Sequence, residues 1–501
     1  MNILASVFDK NGLDSFLKHI LREGDMVYAT GKTADFLTSS KINAISTSKL
    51  SGFDELLGGR VKTLVPSIFA GILSNRDAKS NEEMKAMKFP LFDMVISNLY
   101  PFKEAATRGD LNAMIENIDI GGVSLIRAAA KNYAHVAVIT SKDQYDMISG
   151  IIQKDGSIPL NVRQDLALKA FELAASYDIE IYNSLSGKLS PEHKMDDLFL
   201  GLSGGRKLRY GENPDQEAYM YKRSGATGIP GAFQMSGKEL SYNNILDSNA
   251  AFETVMEFQE PTIVIVKHLT PCGVASSKNL SEAYIRAFEA DPESAYGFVM
   301  ASNIEIDAET ASLIAKNFAE AVVAPSYSKE GFDILRKRKN LRILRTSMSP
   351  DRGLRFRSVS GGILAQTPLL ATPVLPVLKT TAAASEDAMS DLIFAWKVVA
   401  HARSNAIVLA KSKMVTGMGS GQTSRIRALK IAGELAGEKA KGSVLASDAF
   451  FPFSDSVEEA RRLGISAIIQ PGGSIRDDEV IAKCEEYSLP LYFTGKRVFL
   501  H

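Results

Sequence analysis

The amino-acid sequence predicts an α/β protein, and three observations support that fold class. In the first ~150 residues, short apolar runs alternate with patterns typical of amphipathic helices. Two later regions, Thr262–Ala275 and Asn405–Lys411, are apolar runs that precede a helical pattern in a similar outline. Hydrophobic residues make up 45% and charged residues 23% of the 501-residue chain, which is typical of a globular protein with more than one domain.

The first part is expected to contain a mainly parallel sheet covered by helices. We predict strands over Ile3–Phe8, Met26–Ala29, Met94–Ser97 and His135–Thr140, and a helix over Gly12–Leu21. Strands that alternate with helices form parallel sheets, because each helix carries the chain back to the starting edge. Ligands of such sheets bind at the carboxyl ends of the strands.

The second part is expected to contain two similar αβ units. Residues 155–200 have a mainly helical pattern that ends in a polar stretch, Ser186–Asp197, which we predict to be a linker. Beyond it, Thr262–Ala275 precedes a helix, and Asn405–Lys411 precedes a glycine-rich turn, a helix and a strand over Ser466–Gln470. The pattern therefore favours two related units in one domain.

Charge and cysteine content exclude several classes of protein. Lys+Arg and Asp+Glu both number 58, so no basic field favours nucleic acid or an anionic membrane as a partner. Only Cys272 and Cys484 occur, which excludes a disulfide framework and favours a reducing, cytoplasmic compartment. We expect no signal peptide at Met1, and no apolar run approaches the ~20 residues of a transmembrane helix.

An adjacent lysine and histidine, Lys267 and His268, end the apolar run that begins at Thr262. A turn is predicted immediately after them, at Pro271-Cys272-Gly273. A histidine beside a cation can transfer protons near neutral pH, because its unperturbed pKa is roughly 6.5. The residues alone leave two interpretations equally open, a proton-transfer pair and a strand end with two polar side chains in water.

Three glycine-rich segments are candidate anion sites. Gly31-Lys32-Thr33 is half of a nucleotide-binding P-loop, and a turn before a helix could hold one phosphate through backbone N–H groups. Gly417–Arg425 also leads into a helix and offers an arginine to a phosphate or carboxylate. A structural turn is the alternative for each, and it is the favoured interpretation for Pro471–Ser474.

The charged groups of the first part could form one site, although each alone is typical of a solvated surface. They occur in two segments, Arg60–Thr63 and Asp119–Lys131, and Tyr100 lies between them in sequence. Spacing alone does not show that they converge.

Long motifs in a fixed order resemble those of one enzyme family. They are Gly59–Leu64, Asn98–Phe102, Glu116–Gly122, Ala128–Asn132, Leu208–Pro214, Gly237–Asn244, Lys267-His268, Ser404-Asn405, Gly419–Gln422, Ser447–Phe453 and Ile469–Ser474. The chain resembles, over essentially its whole length, the bifunctional purine-biosynthesis enzymes that combine aminoimidazole carboxamide ribotide (AICAR) transformylase and inosine monophosphate (IMP) cyclohydrolase activities.

The resemblance implies two domains with different folds. Residues 1–198 would form a methylglyoxal-synthase-like domain with the cyclohydrolase, and residues 199–501 a duplicated cytidine-deaminase-like domain with the transformylase. Zinc deaminases need Pro-Cys-x-x-Cys and His-x-Glu. Pro271-Cys272 lacks the second cysteine, so a fold used without zinc is expected.

The resemblance also implies roles in formyl transfer from 10-formyltetrahydrofolate to AICAR. His268 would transfer the proton, Lys267 would tune it and hold developing negative charge, and Asn405 would orient the reacting groups. The implied substrate-binding positions are Arg209, Tyr210, Asn244, Gly297, Glu320, Ser424, Arg425 and Arg497, with Phe450, Pro452 and Phe499 near the formyl and folate groups. A homodimer with transformylase sites at the subunit interface and a possible structural monovalent cation are expected.

For ring closure to IMP, the resemblance implies a second set of residues in the first part. Lys62, Tyr100, Asp119 and Lys131 would transfer protons and polarise the carbonyl. The implied ribotide-binding positions are Ser6, Lys10, Thr30, Gly31, Thr33 and Thr63.

The sequence departs from the family pattern mainly near the cyclohydrolase motifs. Phe8 replaces a usual Ser and Lys32 a usual Gly, while Val65, Phe69, Tyr133 and Asp215 stand where His is usual. Lys32 could supply phosphate charge in place of the lost hydroxyl. We therefore predict that cyclohydrolase activity is retained; the alternative is a transformylase whose N-terminal domain only binds a ligand.

Overall fold

The structure is a computed structural model, and it describes residues 1–52, 56–57, 60–190, 197–223, 226–349, 351, 353–369, 371 and 374–501. The chain divides into two compact units, Met1–Gly201 and Leu202–His501, here called unit 1 and unit 2. Gly59 of one motif and residues 191–196 of the predicted Ser186–Asp197 linker lie outside the described residues, whereas Ser186–Leu189 form the end of the helix Leu160–Leu189 and not a linker. No helix in the described part of the chain combines the length and apolarity that a bilayer span requires.

Unit 1 contains a five-stranded parallel sheet surrounded by helices. Its strands are β1 (Asn2–Ser6), β2 (Met26–Ala29), β3 (Ala44–Ser46), β4 (Met94–Ser97) and β5 (Ala137–Ile139), in the order β3-β2-β1-β4-β5. Its helices are α1 (Leu13–Ile20), α2 (Gly31–Ser39), α3 (Ser48–Ser51), α4 (Pro66–Leu73), α5 (Ala78–Met87), α6 (Phe102–Arg108), α7 (Leu111–Glu116), α8 (Gly121–Lys131), α9 (Tyr145–Asp155) and α10 (Leu160–Leu189). All four strand pairs are parallel, as the alternating pattern predicted.

Unit 2 is built around a twelve-stranded sheet. Its strands are β6 (Leu202–Lys207), β7 (Tyr219–Arg223), β8 (Phe233–Ser236), β9 (Thr262–Lys267), β10 (Thr270–Ser276), β11 (Phe298–Ser302), β12 (Ala319–Ala324), β13 (Arg342–Arg345), β14 (Arg355–Val359), β15 (Gly362–Gln366), β16 (Val377–Leu378), β17 (Ile407–Lys411), β18 (Met414–Gly419), β19 (Val444–Ser447), β20 (Ala467–Gln470) and β21 (Leu491–Phe493). The large sheet has the order β16-β21-β20-β19-β17-β18-β10-β9-β11-β12-β13-β8, and β6–β7 and β14–β15 form separate hairpins.

The helices of unit 2 lie between these strands in a repeated order. They are α11 (Gly228–Gly231), α12 (Tyr242–Val255), α13 (Leu280–Ala290), α14 (Ala308–Ile314), α15 (Lys329–Leu335), α16 (Glu386–Val399), α17 (Arg425–Ala436), α18 (Asp455–Arg462) and α19 (Asp477–Glu486). The order β8-α12-β9-β10-α13-β11-α14-β12-α15-β13 is followed by β16-α16-β17-β18-α17-β19-α18-β20-α19-β21. We call them the first and second repeat, and they confirm the predicted pair of similar units.

The two faces of the large sheet form different cores. On β9, Val264 and Val266 belong to a core that is shared by both repeats and closed by α12 and α16. Ile263 and Ile265 point to the opposite face, where α13 and α14 cover the first repeat. Alternate residues of a strand face opposite sides, so a continuous apolar run indicates a sheet covered on both faces.

The turn that joins β9 to β10 differs from the predicted one. The chain turns at His268 and Leu269, which have φ angles of 50° and 66°. Pro271-Cys272-Gly273 lies within β10, where the pairing with β9 shifts register. Two-residue hairpin turns need positive φ at their central residues and usually contain Gly or Asn. No such residue marked this turn in the sequence.

The glycines of Gly417–Arg425 also serve another purpose than expected. Gly417 and Gly419 lie in β18 and not in a turn. A Cβ atom at Gly417 would lie 2.1 Å from the carbonyl oxygen of Ala432, and one at Gly419 1.9 Å from that of Ala428. These glycines therefore allow α17 to pack directly on the strand.

Candidate functional sites

Three hydroxyl side chains of unit 1 meet where β1 and β2 end. The Thr30 hydroxyl lies 3.3 Å from Ser6 Oγ and 3.5 Å from Thr33 Oγ1. Helix α2 starts at Gly31, so the predicted Thr-Gly-Lys-Thr turn is the first turn of the helix, with Thr30 as its N-cap. The helix N-terminus and the hydroxyls form a candidate anion site, which we call the cradle.

Lysines increase the positive charge around the cradle. Burial lowers the pKa of Lys10, and the neighbouring charges of Lys32 and Lys62 lower it further. Lys32 therefore acts on Lys10 from the first turn of α2. Their mutual repulsion would be relieved by a bound anion.

The loop after β1 also carries Phe8, which is half exposed. Its ring lies 5.4 Å from the Tyr100 ring in an edge-to-face contact. Asn98 fixes this loop, since its Oδ1 accepts the N–H groups of Phe8 and Asp9 at 2.6 and 3.1 Å. Phe8 thus contacts Tyr100 from the loop that follows β1. Of the other departures from the family pattern, Val65 is buried in the core of unit 1 and Phe69 packs against that core.

Asp119 lies just before α8, beside Thr63, Lys62 and Tyr100. Burial raises the pKa of Asp119, whereas the N–H groups of Gly122 and Tyr100 and the charge of Lys62 lower it. Its Oδ1 accepts the Gly122 N–H at 2.7 Å. The N-terminus of α8 also approaches Thr63, because a Cβ atom at Gly121 would lie 2.7 Å from Thr63 Oγ1.

Lys131 is separated from this group. It is exposed and ends α8, whose first residue, Gly121, lies near Asp119. A helix rises 1.5 Å per residue, so the two ends lie roughly 15 Å apart along the axis. The described contacts of unit 1 therefore bring together Lys62, Thr63, Tyr100 and Asp119 but not Lys131.

In unit 2, Lys267 ends β9 and His268 lies in the turn between β9 and β10. Lys267 Nζ donates to the carbonyl oxygens of Tyr296 and Gly297 at 2.6 and 3.2 Å. The His268 side chain is exposed at the edge of the sheet. An ammonium has three donors, so two carbonyls leave Lys267 one for a ligand.

One group of predicted binding residues lines a cavity of about 400 Å³ at the first repeat, which we call the first cavity. Its lining residues include the predicted Arg209, Tyr210, Asn244 and Glu320. The Arg209 guanidinium stacks 5.2 Å from the Tyr210 ring, and Glu320 is paired with Arg342. Phe318 also lines the cavity and approaches Gly297, which the Lys267 ammonium holds.

The other group lines a cavity of about 380 Å³ at the second repeat, the second cavity. Its predicted residues are Asn405, Ser424, Arg425, Phe450, Pro452, Arg497 and Phe499. None of the residues that line it lines the first cavity. The other predicted binding residues of one chain are thus divided between two cavities, whereas Lys267, His268 and Gly297 line neither of them.

Arg425 is already neutralised inside the protein. Its buried guanidinium pairs with the fully buried carboxylate of Asp448 and donates to Ser447 Oγ at 2.9 Å. Its Nη2 donates to Asn405 Oδ1 at 2.7 Å, and Asn405 Nδ2 donates to the Gln422 carbonyl at 2.8 Å. Arg425 therefore orients the Asn405 amide.

Sequence reasoning missed several residues that hold these sites. Asp448 was part of a quoted motif but was given no role. Tyr177 accepts the Asp119 N–H at 2.8 Å and donates to the Asn117 carbonyl at 2.9 Å. Asp247 accepts the Leu269 N–H at 2.7 Å. Acids and tyrosines within helical patterns gave no signal of these contacts.

Within the described part of the chain, no group of three or more His, Cys, Asp or Glu side chains is arranged to hold a metal ion. Burial raises the pKa of Cys272 to about 12, which keeps its thiol protonated. The absence of zinc stays a prediction.

Comparison with known families identifies the family to which the chain belongs. The model of the AICARFT/IMPCHase bienzyme family matches residues 129–435, more than half of the chain, and that of the MGS-like domain matches residues 12–124. The chain belongs to the AICARFT/IMPCHase bienzyme family. The MGS-like match confirms the fold predicted for the first part of the chain.

Individual relatives extend the match to the whole chain. The chain is 46% identical to proteins named bifunctional purine biosynthesis protein PurH from Ruminiclostridium cellulolyticum and Acetivibrio thermocellus, over 99% of both chains in each case. The crystal structure of ForH is 32% identical, with a TM-score of 0.35, and covers 38% of this chain and 98% of that chain.

Membership in the AICARFT/IMPCHase bienzyme family confirms the two predicted activities over the transformylase-only alternative. The enzyme catalyses the last two steps of purine-ring synthesis, formyl transfer to AICAR and cyclisation to IMP. The formyl donor is a formyl folate.

Proposed function

We propose that His268 is the proton-transfer residue for formyl transfer from 10-formyltetrahydrofolate. The AICAR 5-amine attacks the formyl carbon, and His268 takes the amine proton, because the delocalised amine is otherwise a poor nucleophile. When the carbon–N10 bond breaks, the same proton can pass to N10 of the folate. The free third donor of Lys267 and the Asn405 amide would hold the oxyanion of the tetrahedral intermediate.

The two cavities would complete each other across a homodimer. The first cavity offers Arg209 and Tyr210 to the ribotide, and the second offers Arg497, Phe450 and Phe499 to phosphate, formyl and folate groups. Support for two subunits comes from the division of the predicted residues between cavities with separate linings. A partner copy would then supply the second cavity to the first.

Ring closure would take place in unit 1 at Asp119. The carboxamide nitrogen attacks the formamido carbonyl carbon, a C–N bond forms, and the carbonyl oxygen leaves as water with one proton from the carboxamide nitrogen and one from the formamido nitrogen. Asp119, with its raised pKa, would take the amide proton, and Lys62 and Tyr100 would polarise the carbonyl. The observation that carries this assignment is the convergence of Lys62, Thr63, Tyr100 and Asp119 at the start of α8.

The cradle would bind the ribotide phosphate in the same unit. Ser6, Thr30 and Thr33 offer hydroxyls, α2 offers its N–H groups, and Lys10 and Lys32 offer charge. Lys32 thereby replaces the donor lost at Phe8. The Phe8 ring, in contact with Tyr100, would cover the base.

Substitution of Asp119 tests the cyclisation site. Asp119→Asn should slow ring closure of supplied formyl-AICAR by about 10²–10⁴, the usual contribution of a general acid–base group. The ultraviolet change on IMP formation measures the rate, and formyl transfer by the same preparation serves as the control. A variant within a factor of a few of wild type would remove Asp119 from this role.

Subunit mixing tests the shared transformylase site. His268→Ala changes the turn of the first repeat, Asn405→Ala changes the lining of the second cavity, and each variant alone should be inactive in formyl transfer. If sites are shared, hybrid dimers contain one site free of both changes, and mixing after subunit exchange restores activity. No restoration in confirmed hybrids would show that each chain holds a complete site.

The monovalent cation, the absence of zinc and the cytoplasmic location remain proposals. Formyl transfer by protein dialysed against chelator, with potassium exchanged for a large organic cation, tests the first two together. Full activity after chelation is expected, with a loss when potassium is removed.

A further inference from the structure

The two repeats of unit 2 contain equivalent hairpin turns. In the first repeat, His268 and Leu269 turn the chain between β9 and β10, with φ angles of 50° and 66°. In the second, Ser412 and Lys413 turn it between β17 and β18, with φ angles of 51° and 56°. We call these the first and second turn. Both place non-glycine residues in the left-handed region, which is unfavourable for L-residues.

An aspartate of the preceding helix binds each turn. Asp247 of α12 accepts the Leu269 N–H at 2.7 Å and also an N–H bond from His268. Asp391 of α16 accepts the Ser412 and Lys413 N–H groups at 2.7 and 2.6 Å. The aspartates stand at the same spacing from their N-cap serines, Ser241 and Ser385. A carboxylate that accepts two N–H bonds compensates for the unfavourable turn backbone.

A lysine before each turn completes the correspondence. Lys267 Nζ donates to Gly297 O at 3.2 Å, and a Cβ atom at Gly297 would lie 3.5 Å from that ammonium. Lys411 Nζ donates to Lys441 O at 3.1 Å, and a Cβ atom at Gly442 would lie 3.2 Å away. The aspartate and the lysine that hold each turn, which we call the clamp, are therefore a duplicated part of the fold.

We propose that Asp247 is a positioning residue for formyl transfer, because it holds the turn that presents His268. The inference rests on the proposed role of His268. Asp391 supports an equivalent turn that has serine in place of the histidine, and the carbonyl of this Ser412 is bonded to Arg286. The clamp thus only stabilises the turn in the second repeat, whereas in the first it also positions His268 for proton transfer.

Burial and the neighbouring charges act in opposite directions on the pKa of Asp247. Burial raises the pKa of Asp247, while the N–H groups of Leu269 and His268 and the positive charges of His268 and Lys267 lower it. A negative Asp247 also opposes the positive charge that His268 gains when it takes the amine proton. The turn that Asp391 binds carries Ser412 where the first turn carries His268, and its Lys413 ammonium is paired with Glu260.

The matched variants Asp247→Asn and Asp391→Asn separate positioning from fold support. Each keeps one acceptor oxygen and loses the charge and one N–H bond. Asp247→Asn should lower kcat for formyl transfer by roughly 10–100-fold, since small displacements of a catalytic group cost up to about 10². KM for the ribotide should change less than about threefold, and ring closure should not change. Asp391→Asn should leave the rates of both reactions within about twofold of wild type. Its Tm should fall by about as much as that of Asp247→Asn.

Each outcome decides for or against the inference. Unchanged kcat in Asp247→Asn, or an equal loss in Asp391→Asn, would reduce Asp247 to a fold clamp. A rise in KM for the ribotide with unchanged kcat would also overturn the inference. Should Asp247→Asn be insoluble, Asp247→Glu keeps the charge, and its kcat must still fall while ring closure persists. If wild-type protein formylates AICAR but His268→Ala does so equally well, the proposed function of His268 has failed instead.

Discussion

The two repeats of unit 2 share an architecture, but the residues that we propose for formyl transfer lie at different ends of their hairpins. The first repeat provides its hairpin turn, with Lys267 and His268. The second provides the opposite end of its hairpin, where Asn405 precedes β17 and Arg425 follows β18. Because β10 pairs antiparallel with β18, the first hairpin turn and the end of β18 lie at the same end of the strands of the large sheet. The duplication thus placed opposite ends of the two equivalent hairpins on one side of the sheet.

Corresponding positions show what changed between the repeats. The first helical residue after the hairpin is buried Leu280 in the first repeat and Arg425 in the second. The residue after the next strand is Asn303 in the first and Asp448 in the second. The two positions that carry Leu280 and Asn303 in the first repeat thus carry the buried ion pair of Arg425 and Asp448 in the second. The aspartate and lysine of the clamp are common to both, so the histidine is what distinguishes the first turn.

The largest stability effect is expected at Arg425. Arg425→Met should lower the free energy of unfolding by about 3–5 kcal/mol, because Asp448 would remain buried without its partner. Formyl transfer should be lost as well, since Asn405 loses its orienting contact. Denaturant unfolding and turnover measure the two effects.

A control uses a more exposed ion pair, between Lys413 of the second repeat and Glu260 of the first. Lys413→Met breaks the ion pair with Glu260 and should cost at most ~1 kcal/mol, as exposed pairs do. Equal costs for the two variants would contradict the contrast between a buried pair and an exposed one.

The two lysines of the clamps separate chemistry from support. Lys267→Met should lower kcat for formyl transfer by roughly 10²-fold, the cost of removing one oxyanion donor. Lys411→Met should change turnover by less than about twofold, because Lys411 is exposed and the turn that follows it carries Ser412 in place of a histidine. Steady-state kinetics with both variants provide the comparison, and equal losses would show that Lys267 only supports the fold.

The smallest effect is expected at Lys397 of α16. Burial lowers the pKa of Lys397, and Lys413 lowers it further, against the opposing charges of Glu257 and Glu260. The folded protein therefore binds this proton less tightly than the unfolded chain, so stability rises with pH between the lowered pKa and the usual 10.5. Lys397→Met should raise Tm by no more than a few degrees at pH 7.

The pH dependence supplies the check on Lys397. The gain in Tm should shrink as the pH approaches 10.5, where the unfolded chain also loses the proton. Thermal unfolding at several pH values measures it. A gain that stays constant with pH would mean that burial of the charge is not the cause.

The sequence predicted the buried strands well because their apolar runs are continuous. Met26–Ala29 and Met94–Ser97 have the predicted bounds, and the alternation of strands and helices predicted the parallel sheet. The hairpin turns were missed, because His268, Leu269, Ser412 and Lys413 carry none of the glycine or asparagine that usually marks positive φ.

The candidate sites were predictable through motifs but not through spacing. Arg425 was predicted as a free anion ligand, yet Asp448 neutralises it from a distant strand end. Asp247 and Asp391 have the appearance of solvent-facing residues in helical patterns. Only the position of each helix beside its hairpin reveals their contacts with the turns. Such long-range partners are set by tertiary packing, which local patterns do not encode.

One comparison tests the central claim that only the first turn carries chemistry. Both reactions should be measured in single preparations of His268→Ala and Ser412→Ala. We expect His268→Ala to lose about 10²–10⁴ in formyl transfer, with ring closure unchanged, and Ser412→Ala to retain both rates. Formyl transfer by His268→Ala within a factor of a few of wild type, or an equal loss in Ser412→Ala, would contradict the account.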